Sequence, residues 1–215
     1  MFTTGVKTVP MVPNNPEILW RQHTLGDAAM YSSPRITEFH GADEVVGRLS
    51  DGSFQQWVEG MNALDSGSEG TVYRVGDCVL KWYDVQAVDP LRQSRADNIV
   101  FTGMKNTSDC WTYPEPLASW TLSGASYTLM QYMHQNSGNY SLLPIKDTVI
   151  EVTEQAIESC GMPLNAFQVD AVQKNTLVLD QKVHGYMYAK IDCRPWTTFD
   201  SAFNNALINH SGDDL

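Results

Sequence analysis

Residues 64–83 read Leu64-Asp65-Ser66-Gly67-Ser68-Glu69-Gly70-Thr71-Val72-Tyr73-Arg74-Val75-Gly76-Asp77-Cys78-Val79-Leu80-Lys81-Trp82-Tyr83, and how this run divides decides the fold. Thr71–Val75 and Cys78–Tyr83 are rich in β-branched, aromatic and apolar side chains and predict two strands. Gly76-Asp77 between them is a two-residue link. Its order reverses the favoured Asp-Gly, yet it suits a tight hairpin. Upstream, Gly67 and Gly70 stand three apart at a strand–turn–strand junction. Such glycines let a backbone pass close over a ligand and aim N–H groups at it, as phosphate oxygens require. A flexible Ser/Gly turn fits the same residues equally well. No Gly-Lys-[Ser/Thr] follows, which rules out a Walker loop. Lys81 lies on the strand paired with that turn. It either points beneath the turn toward phosphates or serves as an edge lysine that deters aggregation.

Working downstream, Asp89-Pro90 predicts an N-cap with proline at the first helical position, and Leu91, Ile99, Val100 and Met104 extend a helix to about Met104. Leu117–Thr121 and Ser126–Met133, separated by Ser123-Gly124, predict a second hairpin, so the order is hairpin, helix, hairpin. A further helix is expected from Thr148, where Thr148-x-x-Glu151 matches a capping box, to Gly161 ahead of Pro163. Thr176–Leu179 and Tyr186–Ile191 follow as β-prone pieces. Upstream, Val45, Val46, Leu49, Phe54, Trp57, Val58, Met61 and Leu64 carry a helical rhythm, broken near Asp51-Gly52. Residues 1–40, with Pro10, Pro13 and Pro16, show no sustained period and read as an extended arm.

The chain has 215 residues, 14 basic against 25 acidic, for a formal charge of −11. That balance argues against phosphate neutralisation along a nucleic acid as the main task. A hydrophobic fraction of 42% is enough for a core. No stretch is apolar for the roughly 18 residues a membrane helix needs, so no membrane span is expected. Cys78, Cys110, Cys160 and Cys193 form no Cys-x-x-Cys pair and read as reduced, buried thiols in a cytosolic setting.

Asp170-Ala171-Val172-Gln173-Lys174-Asn175 sets a carboxylate and an amide five residues apart, ahead of a hairpin that ends at Ile191-Asp192. With the glycine turn and Lys81, this order resembles the protein-kinase catalytic core: a catalytic Asp, an Asn five later, a short hairpin and an Asp that holds Mg²⁺. The resemblance implies an α+β, protein-kinase-like fold with a β-rich N-lobe and a truncated, mainly helical C-lobe. It implies ATP and Mg²⁺ (or Mn²⁺) as cofactors. Gly67, Ser68, Gly70 and Val72 would cover the nucleotide, and Lys81 would contact its α/β-phosphates. Asp170 would orient the substrate hydroxyl, and Asn175 with Asp192 would coordinate the metal. Tyr127–Met133 resembles the strand that enters the kinase hinge, with Met130 as gatekeeper and the backbones of Gln131 and Met133 bonding adenine. Asp180 is the rival metal ligand, and a turn or salt-bridge role suits it better because it comes too soon after Asn175.

The sequence departs from the family pattern at several places. Asp65 stands for the first glycine of the loop. Asp97, one methylene shorter than the family's glutamate, is the nearest partner for Lys81. Gln168-Val169 precedes Asp170 where the family has His-Arg, and Cys193-Arg194 follows Asp192 where it has Phe-Gly. Val172 occupies the usual lysine position, with Lys174 within reach of the same space. The 23 residues after Asp192 leave no room for an activation segment with its Ala-Pro-Glu or for the later helices of a full C-lobe.

This combination resembles the minimal effector kinases of the OspG/NleH type, with HopBF-type effector kinases as the competing assignment. Ile191-Asp192-Cys193-Arg194 and Lys81-Trp82-Tyr83-Asp84 are the segments most similar to theirs. The resemblance implies a Ser/Thr kinase that bacteria inject by type III secretion into the host cytoplasm to act on a host protein substrate. Ubiquitin, a ubiquitin-charged conjugating enzyme or a host chaperone are the implied partners, with no nucleic acid. A pseudokinase or binding module that captures such a partner is the alternative. The expected organisation is an arm and secretion signal over 1–40, a helical extension over 41–63, an N-lobe with hinge over 64–133, and a shortened C-lobe over 134–215.

Overall fold

The computed structural model describes residues 7–15, 17–67, 70–83, 88–134, 146–169, 176–183, 186–190 and 193–211. In chain order its elements begin with strands β1 (Thr8–Pro10), β2 (Leu19–Leu25) and β3 (Ala28–Ser32). Helices α1 (Ala42–Ser50) and α2 (Phe54–Glu59) lead to β4 (Asp65–Gly67), β5 (Gly70–Val75) and β6 (Cys78–Tyr83). Helix α3 (Pro90–Thr107) precedes β7 (Trp111–Thr112), β8 (Pro116–Leu122) and β9 (Ala125–Gln131). Last come α4 (Lys146–Ser159), β10 (Phe167–Gln168), β11 (Thr176–Val183), β12 (Tyr186–Lys190), β13 (Arg194–Pro195) and α5 (Phe199–Ser211). The class is mixed α/β, with one large antiparallel sheet and few helices. Among the described residues no helix is long and apolar enough to cross a membrane.

Two units divide the chain: Met1–Pro10, Leu19–Ser94 and Pro116–Tyr132 form the first, and Met11–Ile18, Arg95–Glu115 and Met133–Leu215 the second. In the first, eight strands pair antiparallel in the order β1-β2-β3-β8-β9-β6-β5-β4. The predicted hairpin–helix–hairpin order thus resolves into one sheet, where β9 returns to lie beside the Lys81 strand. Gly76 opens the β5–β6 turn at φ 59, the positive value that a two-residue link with glycine first demands. One face of the sheet carries the core. Val45 and Leu49 of α1 and Phe54 and Val58 of α2 pack there with Leu80, Trp120, Tyr127 and Leu129. The Phe54 ring meets Trp120 and Tyr127 edge-on at 5.4 and 5.1 Å, while those two, paired across β8 and β9, stack at 5.5 Å. The expected break between α1 and α2 falls at Asp51-Gly52, where Asp51 Oδ1 accepts the Ser53 N–H at 2.9 Å.

The N-terminal arm differs from expectation. Residues 8–32 contain β1, β2 and β3, which extend the sheet beyond β8. Their pattern is hidden in the sequence because the inward positions of β3 are Ala28, Met30 and Ser32, only one of them strongly apolar. Pro10 closes β1 on the sheet's edge, where its missing N–H costs no ladder bond.

In the second unit, α3 and α4 pack so closely that a Cβ on Gly103 would run into the Ala156 carbonyl. The Cys160 thiol donates to the Ile99 carbonyl at 3.4 Å. Helix α3 starts as predicted, with Asp89 Oδ1 accepting the Leu91 and Arg92 N–H groups at 2.9 and 3.3 Å, and it runs one turn past Met104. Helix α4 begins at Lys146, so Thr148 sits inside its first turn and does not cap it. Its end is the expected one: Met162 N–H reaches Ile157 O and Gly161 N–H reaches Glu158 O, the paired bonds of a Schellman close. The tail after β13 forms α5, a helix that the sequence reading leaves unassigned. Phe199 and Phe203, four apart and fully buried, anchor it, with Phe167 edge-on to Phe199 at 5.3 Å. Of the cysteines, Cys78, Cys160 and Cys193 are buried free thiols, but Cys110 is exposed in the bend between α3 and β7.

Candidate functional site

The first unit gathers most of the residues expected around the nucleotide. Gly67 and Gly70 pair across the ladder of β4 and β5, and Ser68 between them lies outside the described residues. Different constraints act on the two glycines. At Gly70 (φ 153) a Cβ would collide with the Trp82 carbonyl of the neighbouring strand, so the sheet itself requires glycine there. At Gly67 a Cβ would meet no described atom within 4 Å, so packing among the described residues gives no reason for glycine at that position.

Lys81 stands in a row across three strands, directly opposite Val72 on β5 and Thr128 on β9. Residues opposite one another share a sheet face, so this row lies on the side away from the α1/α2 core, while Leu80 and Leu129 point into that core. Tyr83, two residues on, shares the Lys81 face. Met130 belongs to that face too, opposite Val79, and is buried; Gln131 is opposite Cys78. The end of β9 is tied to the β5–β6 hairpin, since the Tyr132 N–H donates to the Asp77 carbonyl at 2.8 Å and its ring carries the Arg74 guanidinium at 4.1 Å. Burial and the neighbouring Asp77 and Asp43 carboxylates push the Cys78 thiol, beside this row, up to about 12.

Met133 opens the last segment of the second unit and clusters with Leu179 and Ala189 of β11 and β12, with Leu177 packed against them. Asp97 also belongs to this unit. It lies on α3, 2% exposed, and its Oδ1 accepts the Tyr113 hydroxyl at 2.7 Å. Tyr113 was not among the residues singled out from sequence. The bond joins α3 to the chain that follows β7, and no spacing rule announces a partner sixteen residues away.

Asp170, Asn175 and Asp192 lie outside the described residues, as do Val172 and Lys174. Their flanks are described. Gln168, two before Asp170, pairs with Arg194, two after Asp192, in the β10–β13 ladder. Thr176, next to Asn175, pairs with Lys190, two before Asp192, at the end of β11–β12. These antiparallel pairs bring together the segments that bracket all three positions. Asp180 falls within β11. Burial lowers the pKa of the Arg194 guanidinium from its ordinary value.

No protein-family model matches the chain, and no curated protein matches it. Among solved structures, the Legionella pneumophila Lpg2603 kinase bound to IP6 is a neighbour. It is 11% identical over 97% of this chain and 74% of that chain, with a TM-score of 0.39, a likeness too slight to carry a fold assignment.

Proposed function

We propose that the chain is an ATP- and Mg²⁺-dependent protein kinase that phosphorylates serine or threonine hydroxyls. The observation that carries this reading is the double register Gln168–Arg194 and Thr176–Lys190, which joins the flanks of Asp170, Asn175 and Asp192. The Lys81 row supports it from the first unit: a glycine turn, a lysine one strand away, and a gatekeeper-type methionine on the next. In this reading Lys81 holds the α/β-phosphates beneath the Gly67 turn, and the Met130–Met133 segment receives adenine. Asp170 takes the acceptor hydroxyl's proton as its oxygen bonds to the γ-phosphorus and the bond to the β-bridging oxygen breaks, releasing ADP. Asn175 and Asp192 offer an amide and a carboxylate oxygen, a donor set suited to a hard divalent cation. The bound ion would neutralise phosphate charge. Positioning and charge stabilisation then carry most of the rate.

Thermal stabilisation by ATP that requires Mg²⁺, with radiolabel transfer from [γ-³²P]ATP lost in Lys81→Ala and in Asp192→Ala, is the expected result. A wild-type chain that neither responds to ATP·Mg²⁺ nor transfers label defeats the reading.

A binding-module reading is favoured by two features of the sequence: Asp65 at the first-glycine position, and Asp97, one methylene shorter than the glutamate of the kinase pattern. Such a module would capture a host partner, for example a ubiquitin-charged conjugating enzyme. Capture left intact by Lys81→Ala and Asp192→Ala, with no label transfer by the wild type, selects it. The resemblance also implies work inside a host cell after bacterial secretion. A reporter fused to residues 1–40 that fails to enter host cells would remove that part.

A further inference from the structure

We propose that Tyr83 is a positioning residue that aims the Lys81 ammonium, and that Thr128 holds Tyr83 in place; the inference rests on the nucleotide reading above. Lys81 Nζ lies 4.9 Å from the centroid of the Tyr83 ring, within the reach of a cation–π contact. The two residues are i and i+2 on β6, so they stand on the same face. Thr128 is directly opposite Lys81 on β9, and its Oγ1 lies 3.3 Å from the Tyr83 hydroxyl. The three side chains therefore close a triangle. The lysine leans on the ring, the ring's hydroxyl is bonded to the threonine, and the threonine is fixed by register to the lysine's own position.

Burial gives the triangle its effect. Tyr83 is 5% and Thr128 1% exposed, so water competes little for their bond and the ring has little freedom to turn. Tyr83 also faces away from the α1/α2 core, whose inward side on β6 is supplied by Leu80, with Trp82 packed against it. Filling that core is therefore not what selects tyrosine here. A free lysine stem is flexible and loses that freedom when its ammonium docks on phosphate. An ammonium already rested on a buried, bonded ring has part of that ordering in place before nucleotide arrives. The ligand class that benefits is specific: nucleotides that carry phosphate, and not the bare nucleoside.

The test uses the full chain with Tyr83→Phe, Tyr83→Leu and Tyr83→Met, the last filling volume without a ring in case leucine fails to fold. Affinities for ATP·Mg²⁺ and for adenosine are measured by calorimetry, and the Lys81 ε-methylene protons by NMR without nucleotide. The expected result is an upfield ring-current shift in the wild type that persists in Tyr83→Phe and vanishes in Tyr83→Leu and Tyr83→Met. ATP affinity should fall about three- to tenfold in the ring-less variants, the range of a partly desolvated cation–π contact, with adenosine unchanged. Tyr83→Phe, which keeps the ring and loses the Thr128 bond, should show a smaller loss. Equal weakening of ATP and adenosine would mean that Tyr83 only supports the sheet, and overturns the proposal. So does a wild type that binds ATP·Mg²⁺ alongside ring-less variants that bind it equally well. A wild type that binds no ATP removes the nucleotide reading itself, and this inference with it.

Discussion

The two units differ in what they bury. The interior of the first is apolar and aromatic, with Phe54, Trp120 and Tyr127 in mutual contact between two helices and one sheet. Among the described residues, the buried carboxylates are Asp97 and Glu115, and both belong to the second unit. Apolar burial stabilises at roughly 25 cal/mol per Å², whereas a carboxylate taken out of water costs free energy unless it is bonded. The first unit therefore has the makings of a rigid frame. The second also buries carboxylates, and Asp97 is held there by the Tyr113 hydroxyl.

The largest test of that contrast is Phe54→Ala. Removing the ring deletes both edge-on contacts and should cost about 3–5 kcal/mol in urea denaturation. Four of the six tryptophans, Trp20, Trp57, Trp82 and Trp120, lie in the first unit, so its unfolding should dominate the change in tryptophan fluorescence. A loss below about 1 kcal/mol would mean that the aromatic cluster does not hold the sheet and its helices together.

In the second unit the comparable test is polar. Tyr113→Phe keeps the ring and deletes the hydroxyl that Asp97 Oδ1 accepts, removing one buried hydrogen bond to a carboxylate at a cost of about 1.5–3 kcal/mol. An unchanged unfolding midpoint would show that Asp97 finds another donor without loss. Gly67 and Gly70 repeat the contrast on a smaller scale inside one turn. Gly70→Ala meets the Trp82 carbonyl and should destabilise by about 1–3 kcal/mol. Gly67→Ala meets no described atom within 4 Å and should stay within about 0.5 kcal/mol. If Gly67→Ala nevertheless weakens ATP·Mg²⁺ binding, its glycine serves the ligand; equal stability and equal binding would leave it as an ordinary turn residue.

Local signals made much of the first unit legible. Gly76-Asp77, Ser123-Gly124 and Asp89-Pro90 announce two hairpins and a helix start because turn and cap chemistry is written within four residues. β1–β3 escaped because their pairing is long-range: β3 bonds to β8, about ninety residues later, and its inward Ala28 and Ser32 carry little apolar signal. Helix α5 has its apolar stripe in Phe199, Phe203 and Ala206, at spacings of four and three, but so few apolar positions give the tail no sustained period to mark it. At the candidate site, the sequence order picked out Lys81 and Met130, which the sheet sets on one face. Tyr83 and Thr128 were missed as partners of Lys81, because only strand register brings position 128 opposite position 81.

The smallest predicted effect concerns the thiols, and it compares positions within each unit. Burial raises Cys78 to about 12 and Cys160 to about 11, both from 9.0, so the fold holds each thiol protonated. A group whose folded pKa is raised binds its proton more tightly folded than unfolded. Its stabilisation is whole below pH 9 and drains away as pH climbs, through 11 for Cys160 and 12 for Cys78. Alkaline denaturation should therefore begin above pH 9, and Cys160→Ala should flatten the slope between pH 9 and 11 even if its lost packing lowers stability throughout. At neutral pH the same protonated, buried thiols should resist iodoacetamide, and exposed Cys110 should be alkylated first. Native labelling of Cys78 or Cys160 at a rate near that of Cys110 would show that their elements open far more readily than their burial implies.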